Sequence, residues 1–363
     1  MSGVDRAPAP SRADRLAERL RERELEALLV TDLVNLRYLT GFTGTNGLAL
    51  VGAGDERAFL TDFRYLDQAE AQVPGEFERI RGKESLLEDV APRLAGRVGF
   101  DDEHLTVKAH ERLGAAVGEG VALVAAGGLV EELRAVKERG EIERIAHAAR
   151  VVDEALGAVA EAGLAGRTER AVAVGLERDL RERGAEGASF PIIVAGGAHG
   201  ALPHASPRDE LIPSGALVIV DLGAIVEGYC SDCTRTFATG ALGGEEAEVY
   251  ALVLAAQERA LEAVRAGAGV VEVDAVAREV IADAGHGERF GHGLGHGVGL
   301  EIHERPRLSP RGEGTLAAGN VVTVEPGVYV SGAFGVRIED LVVVGEEGPE
   351  VLSGFPKALV TVA

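Results

Sequence analysis

The chain has 363 residues, 46% of them hydrophobic, and a formal net charge of −22 from 59 acids against 37 bases. That length suggests about two domains on a ~150-residue prior, and the acidic balance disfavours nucleic acid or an anionic membrane as a partner, because phosphate binding needs clustered cations. No apolar run approaches the ~20 residues of a membrane span, the opening MSGVDRAPAPSRADRL lacks the apolar core of a secretory signal, and two cysteines exclude a disulfide scaffold, so a cytoplasmic protein is expected.

Residues 1–11 are expected to be a disordered tail, followed by a charged amphipathic helix over 12–24. ALLVT (27–31), GLALVG (47–52) and RAFLT (57–61) read as strands, DFRYLDQAEAQ (62–72) as helix, and RVGFDD (97–102) as a strand with a helix after it to about residue 117. This alternation predicts an α/β first domain over 12–128. The composition changes near GGLVEEL (127–133), and apolar spacing then predicts one long helix over 134–163, ended by Gly163. A helix over 168–183 precedes strands at 192–194, 216–223 and 228–238; helices over 245–266 and 271–284 precede strands at 320–330 and 335–345. Helices followed by hairpins, twice over, predict an α+β second domain over 134–363 and hint at an internal duplication.

Cys230 and Cys233 have CxxC spacing, but the flanking GYCSDCTRTF reads as extended chain, so two small buried or half-buried thiols are expected rather than a redox pair. The glycines around 291–299 do not satisfy GxGxxG, HERPR is not HExxH, and neither a Walker A loop nor a GxSxG elbow occurs.

The acids carry more. Asp221 ends the apolar run LVIVD, and Asp232 follows eleven residues later. A hairpin turning near Glu227–Gly228 would bring the two roughly opposite each other. Glu325 follows VVTV, and Glu339 sits fourteen residues on inside GVRIEDLVVV; a turn near Gly332 would pair these two. An isolated buried charge costs many kcal/mol. Arg337 alone cannot neutralise four acids, whereas two divalent cations balance them. HGLGHGVGLEIHE (292–304) adds three of the nine histidines, with Glu304. Each acid singly reads as a strand-end cap or an ion-pair partner; four together with this histidine cluster read as a metal site.

These segments resemble the pita-bread metallopeptidases, a superfamily of methionine aminopeptidase, prolidase and aminopeptidase P. HGLGHGVGLEIHE is similar to the proline-peptidase signature, DLGAIVEGYCSDCTRTF to the paired-aspartate hairpin, and VEPGVYV and GVRIEDLVVV to the two glutamate segments. NLRYLTGFTGTNGLALV and FLTDFRYLDQA resemble the creatinase-type N-terminal domain of prolidases and aminopeptidases P. The resemblance implies that Asp221, Asp232, His296, Glu325 and Glu339 ligate two divalent ions, Mn²⁺ with Co²⁺ able to substitute, with Asp232 and Glu339 as bridges. Spacing alone does not choose His296 over its neighbours. A hard, mostly oxygen donor set agrees with such ions.

The same resemblance implies Glu325 as proton shuttle, His204, His292 and His303 as substrate-facing imidazoles, and Arg337 as partner of a ligand carboxylate. It leaves His104, His110, His147, His199 and His286 as surface or structural residues. The implied substrate is a peptide or dipeptide with proline at position two, cleaved at the Xaa–Pro bond by a homodimeric enzyme. That bond is a tertiary amide without N–H, a shape ordinary peptidases reject. An aminopeptidase must leave the far side of the proline open, and a dipeptidase must hold a carboxylate there. A non-catalytic binder on the same fold is the competing class, and five ligands of five argue against it.

Overall fold

The computed structural model describes residues 10–362. Most of the tail expected over 1–11 lies outside them. Ser11 is ordered as the N-cap of the first helix: its hydroxyl accepts the Asp14 N–H, and the Asp14 carboxylate accepts the Ser11 N–H, each at 3.1 Å. The chain divides into two compact units, ending at Arg134 and beginning at Ala135.

The first unit is a six-stranded sheet with helices. Its strands are β1 (Ala27–Val30), β2 (Gly47–Gly52), β3 (Arg57–Thr61), β4 (Glu78–Arg81), β5 (Gly96–Phe100) and β6 (Val121–Ala125), in the order β4-β3-β2-β1-β5-β6. β1–β5, β5–β6 and β3–β4 pair parallel, and β2 runs antiparallel to both neighbours. Its helices are α1 (Arg12–Glu22), α2 (Leu33–Thr40), α3 (Leu66–Gln72), α4 (Leu86–Val90), α5 (Val107–Ala116) and α6 (Leu129–Ala135). α1 buries Leu16 and Leu20, four residues apart on one face. Sequence periodicity gave no sign of β4, a mostly exposed strand of sequence ERIR with no apolar alternation.

The second unit opens with a break where one long helix was expected. α6 stops at Ala135, and α7 (Arg139–Ala162) starts after Glu138, which is extended at φ −73°, ψ 158°. Between them the Lys137 N–H donates to Gly319 O, and Asn320 Nδ2 donates to Ala135 O. Tertiary hydrogen bonds thus replace helical ones that the local pattern permitted. Gly163 does end α7. After α8 (Glu169–Glu182) come β7 (Gly187–Ala188), β8 (Ile193–Gly196), β9 (Leu217–Leu222), β10 (Ala224–Val226), β11 (Tyr229–Cys230) and β12 (Cys233–Ala238). Then α9 (Gly244–Ala263) and α10 (Val270–Asp283) precede β13 (Gly295–Gly297), β14 (Glu304–Leu308), β15 (Val321–Val324), β16 (Gly327–Val330), β17 (Phe334–Arg337), β18 (Asp340–Val344) and β19 (Pro349–Val351). Every pairing among these strands is antiparallel.

The helix-pair-then-hairpin order therefore occurs twice. Val218, Val220 and Leu222 pack with Val152, Leu156 and Leu176 of α7 and α8. Val322, Val324 and Val336 pack with Val253, Val273 and Ala277 of α9 and α10. Each helix pair covers one face of a hairpin and leaves the acids to the other. No helix of the described residues is long and apolar enough to cross a membrane.

Candidate metal centre

The first acid pair comes from one hairpin. Glu227 and Gly228 both have positive φ, 48° and 81°, between the pairs Val226–Tyr229 and Ile225–Cys230. This is the two-residue turn that matches strand twist, and glycine suits its second position. The register continues unchanged to Asp221 opposite Thr234. Asp232 is therefore the diagonal, same-face neighbour of Asp221 rather than its direct opposite. In the second hairpin, Gly327 pairs with Arg337 and Val324 with Asp340, one continuous register that sets Glu325 opposite Glu339. Gly332, at φ 72°, lies in the turn. Asp221 lies within the β9–β12 ladder, whereas Asp232, Glu325 and Glu339 fall in the short breaks between paired strands.

Asp221, Asp232 and Glu339, all buried, each offer an oxygen within 4.8 Å of the others. His296 and Glu325 adjoin this trio: His296 Nε2 is 3.5 Å from Asp232 Oδ2 and 3.3 Å from Glu325 Oε1. Burial and the charges of Glu339 and Asp221 push the Asp232 carboxyl well above its usual range. Burial, with Glu325 and Asp221, does the same to Glu339, and burial raises Asp221 against the pull of Arg337. Burial also acts to raise Glu325, but its bond to and the charge of His296 prevail and hold it at about 2. Against desolvation, Glu325 in turn raises His296.

Two buried oxygens, Asp221 Oδ1 and Glu339 Oε1, have no hydrogen-bond partner among the described residues. Such orphans are costly unless something takes their lone pairs. Four carboxylates and one imidazole converging on unsatisfied oxygens fit hard divalent cations.

Sequence reasoning missed the supporting groups. Thr234 Oγ1 donates to Glu339 Oε2 at 2.8 Å and accepts from Arg337 Nε at 3.0 Å. Arg337 Nη2 also donates to Asp221 Oδ2 at 2.6 Å, as its expected pairing with a ligand carboxylate requires, and Nη1 donates to Tyr329 Oη at 2.7 Å. Tyr329 lies 3.0 Å from His292 Nε2, and His292 Nδ1 lies 2.8 Å from Gly293 O. Since the carbonyl can only accept, Nδ1 carries the ring proton and Nε2 takes the tyrosine's. Both nitrogens of His292, expected as a substrate-facing imidazole, are thus engaged within the protein.

The remaining imidazoles sit on loops. His204, His292, His296 and His303 line a cleft of about 710 Å³ together with the four acids. Its apolar lining includes Phe190, Ile192, Ile193 and Ile302. The His303 ring stands edge-on to His296, centroids 4.4 Å apart. Burial lowers the pKa of His292, and burial with the nearby His296 lowers that of His303. The His204 loop is closed by Glu169, whose carboxylate accepts the N–H of Gly196 and of Arg208, each at 3.0 Å, and lies 2.8 Å from His199 Nδ1. His199 is structural, as expected. From α10, Asp274 accepts the Leu294 N–H and Arg278 donates to His292 O, each at 2.9 Å, fixing the approach to His296. No local sequence pattern announces these partners, because each acts on a segment remote from it in the chain.

Both cysteines are free and buried. Burial pushes the Cys230 thiol up to about 12 and raises Cys233 as well, which leaves neither reactive.

Residues 143–346 match the family model of metallopeptidase family M24, and residues 12–136 that of the creatinase/prolidase N-terminal domain. An uncharacterized peptidase of Bacillus subtilis is 41% identical over 340 residues, 93% of this chain and 96% of that protein. An Xaa-Pro dipeptidase structure from Bacillus anthracis superposes with a TM-score of 0.93 at 38% identity, covering 97% of this chain and 99% of that one. An X-Pro aminopeptidase structure from Thermotoga maritima does so at 0.87 and 36% identity, covering 95% and 99%.

Proposed function

This chain belongs to metallopeptidase family M24, and from that premise we propose that it is a dinuclear peptidase cleaving the Xaa-Pro bond at the free N-terminus of peptides. Its fold is the family's pita-bread domain, preceded in sequence by a creatinase-type domain. The observation that carries the metal assignment is the pair of orphaned carboxylate oxygens, Asp221 Oδ1 and Glu339 Oε1, in a buried four-acid cluster. Asp221, Asp232, His296, Glu325 and Glu339 would hold the ions. Bound divalent cations supply Lewis acidity and a water of lowered pKa.

The chain's own groups do the rest. Glu325, ionised near neutral pH, takes a proton on its carboxylate and returns it to the leaving proline nitrogen. His303, kept neutral near pH 7, donates a ring N–H to the scissile carbonyl as negative charge develops there. His204 supplies a second donor from its loop. His292, occupied at both nitrogens, orients Tyr329 and through it Arg337, which steadies Asp221.

Selectivity follows from the apolar lining. A secondary amide would bring an N–H against apolar side chains in place of the proline ring, at roughly 1–3 kcal/mol. That corresponds to roughly ten- to hundredfold discrimination between Xaa-Pro and Xaa-Ala peptides.

A dipeptidase is the second reading, and Arg307 favours it. This arginine lines the cleft and has no ion-pair partner among the described residues, so it is available for a dipeptide's carboxylate. Rates on Xaa-Pro, Xaa-Pro-Yaa, Xaa-Ala-Yaa and an N-acetylated Xaa-Pro-Yaa peptide, in chelated and Mn²⁺-restored protein, test all of this. Cleavage of the tripeptide identifies the aminopeptidase and cleavage of the dipeptide alone the dipeptidase. Full activity in exhaustively metal-stripped protein would falsify the metal mechanism. Mn²⁺ as native ion, a homodimer and a cytoplasmic location are further parts of the proposal, tested by metal analysis of purified protein, sedimentation and cell fractionation.

A further inference from the structure

Glu304 closes the histidine-glycine run, and the reaction above gives it no role. Its side chain is 5% exposed, and that of Lys137, 3.0 Å away, is 1% exposed. A buried ion pair of this kind is a poor source of net stability. The second Glu304 oxygen accepts the Glu301 N–H at 3.1 Å. A Cβ on Gly299 would stand 2.5 Å from Glu304 Oε2, so the chain at Gly299 lies directly on the carboxylate. The Gly299 N–H donates to Glu301 O, and Gly299 O accepts the Cys230 N–H. The loop 298–303 between β13 and β14 is thus wrapped around one carboxylate. Lys137 itself is fixed by its backbone bond to Gly319.

His303 is the residue immediately before Glu304. Its ring has no side-chain hydrogen bond among the described residues, only the edge-on stack on His296. Its direction into the cleft therefore comes from the backbone that carries it. We propose that Lys137 and Glu304 are positioning residues: their ion pair clamps the 298–303 loop and so aims the His303 imidazole at the substrate. The inference rests on the substrate-facing reading of His303.

The test is a double-mutant cycle on the metal-loaded enzyme with an Xaa-Pro peptide. Glu304→Gln removes the charge, and Gly299→Ala displaces the loop with both charges kept. Each is expected to lower kcat about ten- to hundredfold, the scale of a misplaced donor, with KM and metal content unchanged. In a His303→Ala background the same changes should alter kcat by less than about twofold, because partners acting through one group do not add. Equal losses in both backgrounds, or full activity of both single variants, overturn the proposal. Amide hydrogen exchange over 299–304 gives a second readout: it rises in Glu304→Gln and Lys137→Met and stays unchanged in His303→Ala. Unchanged exchange in the two charge variants also overturns it. A fully active His303→Ala enzyme sinks the site reading and the catalytic half of this proposal, while the exchange result still decides the clamp.

Discussion

Thr234 serves two charged groups with one hydroxyl, accepting from Arg337 and donating to Glu339. A valine of the same shape leaves both charges short of a partner in a buried site. Thr234→Val is expected to weaken metal binding about ten- to hundredfold, the usual cost of losing a group behind a ligand. It should also destabilise the fold by about 1–3 kcal/mol. Competition with a fluorescent chelator and urea unfolding measure the two, and unchanged affinity would remove Thr234 from the site. None of this was legible in the sequence. Asp221 and Glu339 could be picked out because an acid inside an apolar run is out of place. A threonine in a strand is ordinary, and its function exists only once the second hairpin lies beside the first. Tyr329 and Glu169 were silent for the same reason.

At the level of elements, the hairpins carry the geometry. Strand period and turn chemistry made both turns and all four acids readable in advance, and the pairing of Glu325 with Glu339 came out as expected. Asp232 came out diagonal to Asp221 because the two-residue turn at Glu227–Gly228 fixes a register that the eleven-residue separation alone leaves loose. Gly228→Val is therefore expected to cost about 1–2 kcal/mol, the penalty of a left-handed residue with a Cβ. It should lower metal occupancy at limiting Mn²⁺ more than the same change at exposed Gly54. Equal occupancy in the two variants would show that the turn does not set the acids. Long apolar periodicity was less informative: it ran straight through Val136–Glu138, where bonds to Gly319 and Asn320 break the helix.

For the molecule as a whole, the buried acids couple stability to pH and to metal. Without cations, Asp221 and Asp232 titrate above 3.8 and Glu339 above 4.5. A carboxyl raised by folding binds its proton more tightly in the native state, so its contribution is complete below the ordinary value and is lost as pH climbs through the raised one. Glu325, held at about 2, works oppositely: its contribution is present above 4.5 and disappears only as pH falls toward 2. Cations need all four ionised, so they bind better as pH rises. The melting temperature of chelated protein should therefore fall as pH rises above the ordinary carboxyl range, while Mn²⁺-loaded protein holds, widening the gap between them. A gap that stays constant over that rise, read by calorimetry, would count against carboxylate ligation. The unbroken register of the two hairpins has one more consequence, for changes of chain length. Side chains alternate faces along a strand, so one residue added to an arm between turn and acid sends the carboxylate to the wrong side of the sheet. Two residues restore the side but carry the acid about 7 Å along the strand, beyond reach of its partners. The spacing from turn to acid thus behaves as a whole number with a fixed parity. Insertions can leave the centre intact only at the turn tips or outside the hairpins, where no such counting applies.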